Sequence, residues 1–140
     1  MLTELERLLI EQACTRQINR FAYHNDRGEH EALARMFAPD GTFARPSKPN
    51  EVLVGREAIL AAFTQRPPRK AVHLVSNVVV DIASAISARA TSRIVLYAAG
   101  LAASIPEAPW LIGHFEDELV LAGGEWLFAS RRGGIDFTVR

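Results

Sequence analysis

Midway along the chain the spacing of apolar residues changes period, and this change restricts the fold more than any other feature. Up to Gln65 most apolar residues recur at helical spacing, interrupted by two short strand-like runs; from Ala71 onward they alternate. The first period belongs to helices that pack by one face, the second to strands with one face buried. Helices followed by a run of strands define an α+β chain, with helices covering one face of an antiparallel sheet. A strongly twisted sheet curled over a long first helix does not pack flat and encloses a cavity.

Residues 2–25 carry Leu5, Leu8, Leu9, Ala13, Ile18, Phe21 and Ala22 as one apolar stripe. Thr3 and Glu6 predict a capping box at the helix start. Asn25 and Gly28 tolerate the left-handed conformation that ends helices. Glu29–Phe37 predicts a short second helix with Leu33, Met36 and Phe37 inward, followed by a turn at Pro39-Asp40-Gly41. Thr42–Arg45 and Val52–Val54 read as short strands flanking a polar loop. Gly55–Gln65 predicts a third helix with Ile59, Leu60 and Phe63 buried, stopped by Pro67-Pro68. Four long strands follow, over Val72–Ile82, Ile86–Ala99, Trp110–Leu121 and Glu125–Phe137, the last two joined at Gly123-Gly124.

A length of 140 residues suits one domain, 1–140, around one core. Sixteen basic and sixteen acidic residues cancel, and no basic block stands out, which argues against nucleic acid as partner. Cys14 is alone, and no Cys/His spacing suggests zinc, so neither a disulfide nor a metal is expected. No apolar run is long enough for a bilayer, and the charged start (Glu4, Glu6, Arg7, Glu11) is unlike a secretion signal. A cytoplasmic protein without membrane contact is expected.

Polar chemistry concentrates at Tyr23, His24, Asp26, His30 and Asp40, all within the expected helical hairpin. His73 stands apart, inside an apolar strand. Histidine exchanges protons near neutral pH, so His73 is the first candidate for a general base; the alternative is a core histidine bonded to a backbone carbonyl. Asp26 either faces a pocket or shapes the turn with Asn25 and Gly28. Tyr23 is a candidate donor to a developing oxyanion, or a half-buried helix residue. Alternation puts Asn77 on the strand face of His73, where it would line the pocket and orient a substrate or bond a neighbouring strand. His114 shares a face with Glu116 and Glu118, which suggests a solvated surface. His24 and His30 are expected exposed; Arg131 and Arg132 end a strand, where one could reach a substrate carboxylate, but a surface place is the expectation for both. An apolar lining would come from Phe21, Phe37, Phe43, Phe63 and Phe115, with Met36, Leu60 and Val75. Trp110, Ile112 and Trp126 are expected on the outer sheet face, a half-apolar surface that suggests a homodimer.

Five segments, in this order, resemble the SnoaL-like branch of the nuclear-transport-factor-2-like superfamily. They are Phe21–Asp26, Leu33–Phe43, Val54–Ile59, His73–Asn77, and Gly124–Phe128 followed by Arg131-Arg132. The resemblance implies a cone of curved antiparallel sheet wrapped around helices, a deep apolar pocket, and pairing of subunits. Its dehydratase-like pattern implies an Asp at the position of Asp26 paired with a His at the position of His73. It also places a Tyr near the end of the first helix, where this chain has Phe21. The expected function is a cofactor-independent lyase or isomerase of the dehydratase or ketosteroid-isomerase type, acting on an apolar polycyclic or aromatic molecule. A binding or assembly module without turnover and a dioxygenase small-subunit-like partner are the other readings.

Overall fold

A computed structural model of the chain describes residues 1–140. Helix α1 spans Glu4–Asp26 and starts with the predicted capping box: Thr3 and Glu6 each accept the other's backbone N–H through a side-chain oxygen. The i, i+4 row Ile10, Cys14 and Ile18 is the packed face, continued by Phe21 and Ala22. Leu5, Leu8 and Leu9, expected in the same stripe, lie off that row and are exposed. Helix α2 (His30–Arg35) buries Leu33 and Ala34, and helix α3 (Arg56–Thr64) buries Ile59 and Phe63.

Six strands follow from the remaining segments: β1 (Phe37–Ala44), β2 (Leu53–Val54), β3 (Lys70–Ser84), β4 (Ser87–Ala99), β5 (Glu107–Ala122) and β6 (Glu125–Val139). They form one curved, unclosed sheet in the order β2-β1-β6-β5-β4-β3. Every neighbouring pair is antiparallel except β1 and β6, which run parallel. The expected α+β architecture is therefore present, with this one departure from an antiparallel sheet. The turn expected at Pro39–Gly41 is instead an irregularity inside β1, where the register with β6 shifts between Phe37 and Thr42. Gly123 and Gly124 turn the last hairpin with φ of 58° and 80°, values that suit glycine at both positions.

Two bulges decide what the inner face presents. On β3, Ser76 faces Arg93 and Val79 faces Thr91, so one extra residue enters the strand. Inward parity switches there, from His73 and Val75 to Val78, Val80 and Ile82. On β6, Phe128 faces Leu119 and Ser130 faces Glu118, which inserts another extra residue. Trp126 and Phe128 point inward before this bulge, Arg131 after it. Trp126 thus belongs to the core at 8% exposure, correcting its expected place on the outer face.

Six of the seven phenylalanines gather where the helices meet the sheet. The Phe21 ring centre lies 5.6–6.1 Å from those of Phe37, Phe43, Phe63, Phe115 and Phe128, mostly edge to face. This cluster fixes the end of α1 against the sheet and sets the position of Asp26.

Candidate active site

Asp26 is the last residue of α1, and His73 lies near the start of β3. A carboxylate at a helix C-terminus is disfavoured by the helix dipole. Here two hydrogen bonds hold it. Asp26 Oδ2 accepts the backbone N–H of His73 at 2.8 Å, and Oδ1 lies 2.5 Å from the ring Nδ1. An ionised carboxylate only accepts, so Nδ1 donates and Nε2 is left with the free lone pair. The two side chains are 10% and 21% exposed, so the contact is shielded but not sealed.

His73 borders a cavity of about 370 Å³ between α1 and the concave sheet face. Cross-strand rows build its wall. His73 faces Leu96, which faces Leu111; Val75 faces Ile94, which faces Gly113. Phe21, Ala22 and Asn25 contribute from α1, and Phe43 and Phe115 close the apolar side.

Arg131 also lines the cavity, although it is only 1% exposed overall. Its guanidinium lies 3.8 Å from the ring centre of Phe115, 4.4 Å from Phe21 and 4.8 Å from Phe128. The charge is stabilised by these ring faces and by Asp117, 3.6 Å away. That distance is an ion pair without a hydrogen bond: Arg131 Nε and Nη1 and both Asp117 carboxylate oxygens are buried with no partner. Burial pushes the Asp117 carboxyl up to about 6 against the opposing pull of Arg131, and burial lowers Arg131. The expectation of a surface Arg131 is corrected by the β6 bulge, which turns this side chain inward; Arg132 is exposed.

The other candidates separate. Tyr23 is 51% exposed on the outer side of α1, with Arg27 stacked at 5.0 Å, and does not border the cavity. Asn77 is also outside it. Asn77 occupies the β3 bulge with φ of 54° and borders a shallow groove with Arg93, His114 and Asp136. Phe37 and Phe63 are fully buried behind the lining rather than part of it, whereas Phe21, Phe43 and Phe115 line it. His24 and His30, expected exposed, are half-buried. His24 bonds Glu29 at 3.1 Å and thereby lowers the Glu29 carboxyl; His30 packs near Phe63. His114 bonds Asp136 at 2.9 Å on the outer sheet face, which Asp136 shares with Arg93 at 2.6 Å. No group of three or more His, Cys, Asp or Glu side chains is arranged to hold a metal ion, and no helix is long and apolar enough to cross a membrane.

Sequence reasoning placed Arg131 at the surface and foresaw neither its burial nor its partnership with Asp117. A signal was present: alternation places Asp117 between the inward Phe115 and Leu119, and a buried carboxylate calls for a cation. The position of that cation was hidden by the bulge.

The SnoaL-like domain model matches residues 6–132, and the chain belongs to that family. Solved structures agree on the fold. A Novosphingobium aromaticivorans protein described as "Putative Scytalone Dehydratase" is 25% identical, with a TM-score of 0.84 over 98% of this chain and 91% of that one. The hexachlorocyclohexane dehydrochlorinase LinA-type3 from Novosphingobium barchaimii is 16% identical, with a TM-score of 0.82 over 98% and 93%. A Catenulispora acidiphila protein in complex with S-DNPA is 24% identical, with a TM-score of 0.73 over 92% and 95%. No curated protein sequence matches the chain.

Proposed function

We propose that this protein is a cofactor-independent lyase or isomerase that removes a proton from a small apolar molecule, with His73 as the base. The observation that carries this reading is the Asp26–His73 contact at the wall of an apolar cavity. Asp26 holds the imidazole in the tautomer with a basic Nε2 and stabilises the imidazolium once the proton has moved. The electron pair of the broken C–H bond forms a double bond. In an elimination the leaving group departs with its own bonding pair; in an isomerisation the proton returns at another carbon. Negative charge grows on the leaving group or on an enolate oxygen, and Arg131 supplies a fixed positive charge beside it. The rings of Phe21, Phe43 and Phe115 exclude water and favour a flat or alicyclic body. Tyr23 and Asn77, outside the cavity, take no part.

Membership of the SnoaL-like family and the likeness to a dehydratase and a dehydrochlorinase by name support an elimination over other proton transfers. The test is a panel of ring-fused β-hydroxy ketones and halogenated cyclohexanes, followed by the absorbance of the conjugated product or by released halide. Conversion of at least one compound, lost in His73→Ala with folding intact, is the expected result. A panel that is converted equally by wild type and His73→Ala overturns the reading.

A further inference from the structure

The cavity wall is electrically one-sided. Arg45, Arg66, Arg69, Arg131 and His73 border it, and no aspartate or glutamate does. The chain as a whole is neutral, so this is a local concentration of cations. Two of the lining residues already hold carboxylates, His73 with Asp26 and Arg131 with Asp117. Arg45, Arg66 and Arg69 form no ion pair within the chain.

Their placement is built into the backbone. Arg66-Pro67-Pro68-Arg69 is the stiff connection between α3 and β3, and the prolines hold both arginines at the mouth. Arg45 precedes Pro46, which rests directly on β6: a Cβ at Gly133 would stand 2.6 Å from the Pro46 ring, so only glycine permits this contact. Arg66 stacks on Phe63 at 4.1 Å, and its Nε is buried without a partner. Burial and the charges of Arg45 and Arg69 hold the Arg66 guanidinium down to about 10. Like charges drawn together with unmet donors are relieved by an anion, and guanidinium forks match a two-oxygen acceptor.

We propose that the substrate is an apolar ring compound bearing an oxyanion, a carboxylate or a phosphate ester, which Arg66 and Arg69 hold at the mouth beside Arg45 while the ring enters the cavity. The inference rests on reading this cavity as the substrate site and adds the charge that the substrate carries. The anion anchors the molecule by its rim, leaving the ring carbons to His73 and Arg131 farther in.

Calorimetric titration with naphthalene-2-carboxylate, 2-naphthyl phosphate and naphthalene-2-carboxamide tests it. At least one anion is expected to bind tenfold or more tightly than the amide, and its affinity to fall as salt is added. Comparing the carboxylate with the phosphate identifies the group. In Arg66→Gln/Arg69→Gln, which keeps polar side chains at both positions, the preference should vanish while amide binding stays. Equal affinities of acid and amide, no measurable binding of either anion, or a preference untouched by the double substitution overturns the proposal. His73→Ala separates the two readings. A preference that persists there supports the anion site whatever happens to turnover, and a preference absent from wild type overturns it even where His73→Ala abolishes turnover.

Discussion

The guanidinium of Arg131 lies 3.6 Å from the carboxylate of Asp117 on the neighbouring strand, and the side chains are 1% and 0% exposed. Neither makes a hydrogen bond to the other. Such a pair stabilises little relative to apolar replacements, but it cannot be halved cheaply, because the survivor is a buried charge alone.

Arg131→Met is therefore predicted to cost about 3–5 kcal/mol of folding stability, and Asp117→Asn/Arg131→Met to recover much of that loss. Urea unfolding of the two single variants and the double variant checks this. Additive losses would show that the pair is not coupled.

The raised Asp117 carboxyl makes stability depend on pH in a defined direction. Its folded value is about 6 and its ordinary value 3.8, so the folded chain binds the proton more tightly. Between about pH 4 and 6 the folded state holds more protons than the unfolded one, and stability falls as pH rises through that window. Above pH 6 the cost is complete, at about 2–3 kcal/mol. Wild type should lose this much relative to Asp117→Asn between pH 4 and 7, as read from urea midpoints; parallel pH curves for the two proteins would contradict it.

Phe37 is fully buried in the aromatic cluster and does not line the cavity. Phe37→Ala should cost about 3–5 kcal/mol of stability and leave naphthalene-2-carboxylate affinity nearly unchanged in the folded fraction. Thermal unfolding with calorimetric titration distinguishes this from a lining residue, whose loss would change affinity first.

The helical hairpin, the capping box of Thr3 and Glu6 and the period-two strands were legible because each is a local signal. His73 was legible as a histidine inside an apolar strand, whereas Asp26 read equally well as a turn residue and its pairing with His73 came from the family resemblance. Asn77 and Arg131 were misplaced for a common reason. Alternation and helical stripes assign a face only while the period is unbroken, and the bulges at Asn77 and after Phe128 break it. Tyr23 follows Phe21 and Ala22 but points the other way, because α1 packs through the row that ends in Phe21 and Ala22. The parallel β1–β6 pairing depends on partners far apart in the chain, which no local pattern reveals.

Cross-strand partners share a face, so Leu74, Val95, Ile112 and Phe137 form one row on the outer sheet, beside Val72 and Tyr97. Leu74 and Phe137 are 54% and 67% exposed. This face is predicted to pair two copies of the chain. Light scattering after size exclusion should give a dimer mass for wild type and a monomer mass for Leu74→Lys/Phe137→Lys; a monomeric wild type would contradict it.

The central claim is that His73, oriented by Asp26, moves the substrate proton. Its most direct test is the rate of elimination on whichever panel compound wild type converts, measured in His73→Ala and Asp26→Asn with folding checked by circular dichroism. Loss of a positioned general base should lower kcat by about 10²- to 10⁴-fold in His73→Ala, with a fall in the same direction in Asp26→Asn. A folded His73→Ala variant turning over within twofold of wild type would contradict the account.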